Sequence, residues 1–336
     1  MSRRDLDAAG ILDPALRASY EACRRLFAAH GRTYYLATLL LPPAKRPAVH
    51  ALYGFARHAD EIVDDLASTL TAPEKAAALA VLAERALSGG NTGDATLLAF
   101  QHTVASWDID HAHVEAFLRS MAMDLTTTEY ATWDDLMTYI DGSASVIGLQ
   151  MLPVLAPLPG FHDLAVPYAR DLGTAFQLAN FIRDVGEDLD RGRLYLPLED
   201  LAAHGLTRSD LERRVSDDRV RALLRFEVTR CRRLYAAAEP GIRLLDPTSR
   251  PCVEAAFTLY RGILDEVERA DFDVLRQRVS VGIPRRLAVA GPAWVRAVRA
   301  RRSPGGPTLA VRPQNTHHAR VWSTSEKPNN RSSTGA

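Results

Sequence analysis

Apolar residues recur at intervals of three and four along most of the chain, and strict alternation is almost absent, which predicts helices nearly throughout and no strand. The segments that carry this period are 14–29, 47–67, 73–87, 95–106, 112–123, 133–152, 164–190, 219–245 and 251–270. Several open on a proline in the first turn, where its missing N–H costs nothing, and glycine-rich stretches such as 88–93 separate them. Ala, Leu and Arg dominate, residues that lose little side-chain freedom in a helix. The expected fold class is all-α, without an internal repeat of fixed period.

The pattern stops at Pro304, where Ser, Pro, Asn, Gly and Thr replace large apolar residues. Such a segment cannot bury enough surface to offset its ordering entropy. One helical domain over 1–303 and a disordered tail over 304–336 are therefore expected. Just before the tail, 290–302 sets Trp294, Val295 and Val298 among Arg296, Arg299, Arg301 and Arg302. This is either the frayed basic end of a helix or a strip that lies on an anionic membrane surface.

Composition narrows the picture by exclusion. At 336 residues with 47% hydrophobic, the chain can bury a sizeable core, and 41 basic residues balance 41 acidic ones, so no nucleic-acid partner is expected. Cys23, Cys231 and Cys252 are widely scattered, unlike a zinc or redox motif, which suits a reducing cytoplasm. No apolar secretory segment follows the first residues. The longest apolar stretch, 146–158, is interrupted by Pro153 and Pro157 and is too short to span a bilayer. A cytoplasmic location is expected, peripheral to the membrane at most.

Two of the predicted helices carry acids in the same spacing. Asp60 and Asp64 lie four apart on one face, with Arg57 a turn earlier. Gln177, Asn180, Asp184 and Asp188 form one polar stripe, flanked by Arg183, on a helix whose other residues, such as Phe176, Leu178, Phe181, Ile182 and Val185, are mainly apolar. A lone acidic pair is usually a solvated helix face; the apolar surroundings of the second stripe turn its acids toward an interior cleft. Like charges at this spacing cost a helix about 0.2–0.5 kcal/mol, and more where solvation is poor. A cation relieves that cost. Mg2+ takes oxygen ligands, keeps several waters and is shared between carboxylates and substrate phosphates, so it is the expected ion, with Mn2+ as the alternative. A di-iron bundle would need Glu-x-x-His motifs, and none is present. His111 and His113 have no further ligand nearby and read as exposed loop residues.

Further motifs follow in order: His30-Gly-Arg-Thr-Tyr34, 124–130, 139–148, Arg193-Leu-Tyr-Leu-Pro197 and 260–278. Over 30–278 the chain resembles the squalene and phytoene synthase family, and within it the bacterial phytoene synthases. The resemblance implies an isoprenoid-synthase helical bundle around a deep central active-site cavity. By position it implies Asp60, Asp64, Asn180, Asp184 and Asp188 as the metal and diphosphate-handling set. It implies His30, Arg32, Thr33, Tyr53, Gln177, Arg183 and Tyr260 as substrate-binding, and Tyr130, Arg57, Tyr195 and Arg278 as catalytic. Thr33 stands where the family commonly has Ser, and Glu61 where many relatives have Asp, which keeps the hydroxyl and the charge respectively.

The implied activity is phytoene synthesis, the first committed step of carotenoid formation. Two geranylgeranyl diphosphates join head to head through the cyclopropylcarbinyl prephytoene diphosphate, without NADPH. Carotenoid-pathway enzymes are the implied partners. Carbocations need a dry site, and aromatic faces such as those of Tyr34, Tyr35, Phe55 or Phe181 would stabilise them. The small residues Gly142, Ser143, Ala144, Ser145 and Gly148 either leave room for prenyl tails or let helices approach closely. Thr38, a turn after Tyr34, leaves depth that a bulky aromatic would remove, which favours twenty-carbon over fifteen-carbon chains. The sister reading is squalene or dehydrosqualene synthesis from farnesyl diphosphate, squalene requiring NADPH. A chain-elongating synthase would show Asp-Asp-x-x-Asp boxes, which neither motif reproduces. A non-catalytic binding or assembly relative need not keep all four aspartates and Arg57.

Overall fold

The computed structural model describes residues 3–64, 69–88 and 93–302. Its helices, in chain order, are α1 (Arg3–Ala8), α2 (Pro14–His30), α3 (Arg32–Thr38), α4 (Arg46–Asp64), α5 (Ala72–Leu87), α6 (Leu97–Trp107), α7 (His111–Met123) and α8 (Trp133–Ile140). They continue with α9 (Val146–Leu155), α10 (His162–Asp190), α11 (Leu198–Ala203), α12 (Arg208–Glu212), α13 (Asp218–Ala238), α14 (Arg250–Arg269) and α15 (Ile283–Arg302). Among the described residues there is no strand, only isolated bridges between Glu129 and Leu194 and between Pro157 and Leu245. The fold is all-α, as the periodicity predicts.

Polar starts recur where the pattern changes from loop to helix. Thr71 with Glu74, Thr132 with Asp135 and Thr207 with Asp210 form capping boxes, and the Asp13 carboxylate accepts from the Leu16 N–H at 2.7 Å. α1, α3, α11 and α12 escape prediction because five to seven residues hold too few turns to show a period. α15 begins at Ile283, well before the predicted 290–302 segment. The last residues of the predicted 47–67 helix and the expected disordered tail, 304–336, lie outside the described residues.

One predicted helix is broken in two. In place of 133–152, α8 and α9 are joined by a π-helical turn, Asp141–Ser145. The small residues there bring this backbone against α10: a Cβ on Gly173 would lie 2.5 Å from the Ala144 carbonyl oxygen. Similarly, the 219–245 prediction ends as α13 at Ala238 and tightens into a 3-10 segment, Glu239–Leu244, at Pro240.

α10 is the axis of the fold, with Ala175, Leu178, Ala179 and Ile182 inaccessible to solvent. One apolar core forms between α10, α13 and α14 and a second among α2, α4, α5, α6 and α7; Tyr34, Leu155, Phe176 and Val289 touch both. Between α3, α4, α9, α10 and α14 a cavity of about 350 Å³ remains. Its lower end is strapped by two backbone hydrogen bonds of 2.7 Å, Leu158 N–H to Leu244 O and Asp246 N–H to Ala156 O. The buried Lys45 ties the α3–α4 link to the same region, donating to Leu155 O at 3.3 Å and Ser249 Oγ at 2.8 Å.

Candidate functional site

The cavity is a shaft running down α10. Asn180, Gln177, Phe176, Gly173, Ala169 and Ala165 line it at helical spacing, and Tyr53 and Ala56 of α4 face them from another wall. Its walls are almost wholly apolar, with Asn180 and Gln177 at one end. Past that end the same stripe of α10 continues as Asp184 and Asp188, and α4 continues as Arg57, Asp60 and Asp64. Thr38 is buried and lines the shaft, where its hydroxyl donates to Tyr34 O at 2.9 Å.

The acids at this mouth are held by arginines. Arg183 grips Asp184 through two bonds of 2.7 and 2.5 Å, and Arg278 reaches the same carboxylate at 2.7 and 3.3 Å. Arg57 pairs with Asp60 at 2.8 Å and Glu61 at 3.0 Å. Asp64 is bound by Arg193 at 2.8 Å, with Arg191 at 3.9 Å. Arg191 and Arg193 follow α10 directly and also act on Asp188, so this pair of cations joins the two acidic motifs. Burial and the neighbouring Asp184 push the Asp188 carboxyl up to about 7. Asp60 is raised by burial and by Asp64.

A second cluster lies on the other side of Arg193. Asp124 accepts hydroxyl hydrogen bonds from Tyr139 at 2.7 Å and Tyr195 at 3.2 Å, and burial raises its carboxyl to about 6. Tyr195 stacks on Phe181 at 4.0 Å, and Tyr130 and Tyr139 complete an aromatic wall. The Tyr130 hydroxyl is buried without a hydrogen-bond partner. At the shaft itself Tyr34 stacks on Tyr260 at 4.3 Å, beside Phe176; burial pushes the Tyr260 phenol up to about 12.

The structure thus gathers Tyr53, Arg57, Asp60, Asp64, Gln177, Asn180, Arg183, Asp184, Asp188, Tyr260 and Arg278 around one mouth, with Tyr130 and Tyr195 beside it. His30 is exposed at the end of α2, while the side chains of Arg32 and Thr33 lie outside the described residues. Two proposed cation-stabilising rings belong elsewhere. Phe55 stacks on Phe100 at 3.8 Å in the core, and Tyr35 packs against Phe27 and His50 with its hydroxyl on Arg24. His111 and His113 open α7 instead of lying in a loop. Sequence reasoning passed over Asp124, Tyr139, Arg191 and Arg193. Three of them stand within the motif stretches named above, but nothing in local spacing shows that residues from three separate segments converge.

Among the described residues, no three acid, His or Cys side chains are close enough to hold a metal by themselves. The donor set nevertheless fits a hard divalent ion shared with a substrate. Every candidate ligand is an oxygen, the Asn180 Oδ1 atom is buried and has no hydrogen-bond partner, and the Asp60 and Asp188 carboxyls are raised by burial and by a neighbouring carboxylate, a cost that a cation between the acids would relieve. No described helix is long and apolar enough to cross a membrane.

An apolar shaft closed by carboxylates and arginines defines a helical site for an amphiphile with an anionic head. Comparison with known proteins agrees: the squalene/phytoene synthase profile matches residues 27–285, and the chain belongs to that family. It is 37% identical over 297 residues to a 15-cis-phytoene synthase of Synechocystis sp., covering 84% of this chain and 86% of that one. Against a phytoene synthase of Arthrospira platensis it is 39% identical over 281 residues, covering 80% and 90%. Among solved structures, a dehydrosqualene synthase in complex with ligand superposes with a TM-score of 0.75 at 25% identity, over 83% of this chain and 96% of the other. Squalene synthase HpnC from Alicyclobacillus acidocaldarius gives a TM-score of 0.71 at 28% identity, over 79% and 98%.

Proposed function

We propose that the chain is a phytoene synthase, working as one helical domain over 1–303, that joins two geranylgeranyl diphosphates head to head through prephytoene diphosphate without NADPH. The observation that carries the reading is the depth of the shaft. From Asn180 to Ala165, both lining it, α10 descends about 22 Å at 1.5 Å per residue. A geranylgeranyl chain, with sixteen carbons in line, extends about 18 Å at the roughly 1.2 Å per bond of an extended peptide, and a farnesyl chain about 13 Å. The longer tail fits and the shorter one leaves the lower shaft empty.

Asp60, Asp64, Asn180, Asp184 and Asp188 would hold Mg2+, or Mn2+ in its place. Bound there, the ion supplies charge neutralisation for the departing diphosphate. Arg57, Arg183 and Arg278, each now paired with an acid, bind diphosphate oxygens together with His30, Arg32, Thr33, Tyr53, Gln177 and Tyr260. Tyr130, with its unpartnered buried hydroxyl, donates to a diphosphate oxygen. The Tyr34–Tyr260 pair and the Phe181–Tyr195 stack present ring faces to the allylic and cyclopropylcarbinyl cations, and the apolar walls keep water from quenching them. Asp124 holds the Tyr139 and Tyr195 hydroxyls so that their rings stay aligned.

The site is cytoplasmic and sits against the inner face of a membrane, beside other carotenoid-pathway enzymes. The exposed Ile283, Leu287 and Trp294 of α15 and its arginine-rich end support membrane contact. Purified protein incubated with geranylgeranyl diphosphate and Mg2+ should yield a forty-carbon triene with or without NADPH. Condensation of farnesyl diphosphate alone would refute the chain length. Absence of any condensation would favour the non-catalytic relative.

A further inference from the structure

The lower shaft contains a side chain whose place in the reaction is set by depth alone. Tyr168 lines the cavity from α10, one turn above Ala165, and it rests directly on the 3-10 segment Glu239–Leu244. The contact is close: a Cβ added to Gly241 would fall 2.2 Å from Tyr168 Cβ and 2.7 Å from Cγ. Only a residue without a side chain lets Tyr168 seat there. Below, the 2.7 Å bonds from Leu158 N–H to Leu244 O and from Asp246 N–H to Ala156 O fix the segment on which it rests. The ring is therefore backed by strapped backbone, and a tail pressing on it cannot push that backbone aside cheaply.

Position along the helix supplies the measure. Both Asn180 and Tyr168 line the shaft, and twelve residues at 1.5 Å separate them by about 18 Å. That is the extended length of a geranylgeranyl chain at roughly 1.2 Å per bond. A twenty-five-carbon prenyl chain, with twenty carbons in line, needs about 23 Å, which would carry its end past Tyr168 to the level of Ala165.

We infer that Tyr168, seated on Gly241, is the end stop that sets the upper limit of prenyl chain length. The inference rests on the reading that the tail descends the shaft from Asn180. Ala165 lines the same cavity one turn further down, so the ring narrows the way to that level, and truncating it would widen the passage for the longer chain. The reaction itself would be unchanged, each turnover joining two chains and releasing two diphosphates and two protons.

The test compares wild type, Tyr168→Ala, Tyr168→Leu and Tyr168→Trp in competition assays with farnesyl, geranylgeranyl and geranylfarnesyl diphosphates, reading kcat/KM ratios. A ratio between two substrates does not depend on the fraction of folded enzyme, so partial misfolding of a variant does not blur it. The geranylfarnesyl-to-geranylgeranyl ratio should rise at least tenfold in Tyr168→Ala and by less in Tyr168→Leu, with a fifty-carbon product in the extract. In Tyr168→Trp the farnesyl-to-geranylgeranyl ratio should rise. Ratios within twofold of wild type in all three variants would overturn the end stop. Failure of the twenty-carbon reading shows separately, as a wild-type preference for farnesyl diphosphate.

Discussion

Arg193→Met tests the electrostatic logic of the mouth, because it removes a guanidinium that serves several acids while keeping most of the side chain's volume. Arg193 stands 2.8 Å from Asp64 and donates to the Asp124 carbonyl at 3.3 Å. Its charge also lowers the carboxyls of Asp60, Asp124 and Asp188. At 2.8 Å and an effective dielectric of about 20, the pair is worth about 6 kcal/mol before desolvation. Breaking a buried pair costs about 3–5 kcal/mol net, and with Asp64 28% exposed the lower end, about 3 kcal/mol, applies. For a folded domain over 1–303 at about 2.1 cal/mol/K per residue, that lowers the melting temperature by about 5 °C. Turnover should fall further, by about 10²–10³-fold, the scale for losing one preorganised charge-stabilising group. Inorganic diphosphate with Mg2+ should restore part of the lost melting temperature, since the ion replaces the missing charge. Thermal melts and steady-state product formation measure both effects. A melting temperature within about 1 °C of wild type together with turnover within about threefold would refute the reasoning.

Three other outcomes are expected. Asp60→Asn and Asp184→Asn should each reduce turnover by about 10²-fold or more with the helical circular dichroism intact; chelation should abolish turnover and Mg2+ or Mn2+ restore it, and near-normal rates in both variants would dismiss the ligand roles. Glu227 is fully buried, paired with Arg230 at 3.2 Å, and burial and Asp200 push its carboxyl up from the usual 4.5. The folded chain then holds more protons than the unfolded one, so this group's contribution is complete below about pH 4.5 and is lost as pH rises through the raised value. Glu227→Gln should flatten the fall in melting temperature between about pH 5 and pH 9, and an unchanged slope would count against it. Trp294 is 60% exposed on α15, and since burying such a side chain in an interface is worth about 2 kcal/mol, Trp294→Glu should weaken binding to anionic vesicles at least tenfold; equal sedimentation of both proteins with the vesicles would remove α15 from the contact.

Much of this site is legible in the chain because a helix rotates each residue by a constant angle. The three-and-four spacing predicts the α-helical class, and it places Gln177, Asn180, Asp184 and Asp188 on one stripe and Asp60 and Asp64 on another before any packing is known. Prolines mark the starts of α2, α4, α5 and α14 within one or two residues, since that rule is also local. What the period cannot show is which faces meet. Phe55 and Tyr35 suit a cation-stabilising wall by type, yet α4 turns Phe55 toward Phe100 and α3 leaves Tyr35 against His50. The break at Asp141–Ser145 depends on α10 approaching within contact of small residues there, at Gly173. Asp124, Tyr139 and the Arg193–Tyr195 stretch come from separate segments, and only the closure of the bundle brings them together. The shaft's length along α10 follows from residue count at 1.5 Å each. That Tyr168 meets Gly241 at its base was decided by tertiary structure, because contacts between residues so far apart in the chain depend on how whole helices pack, and no local rule encodes that.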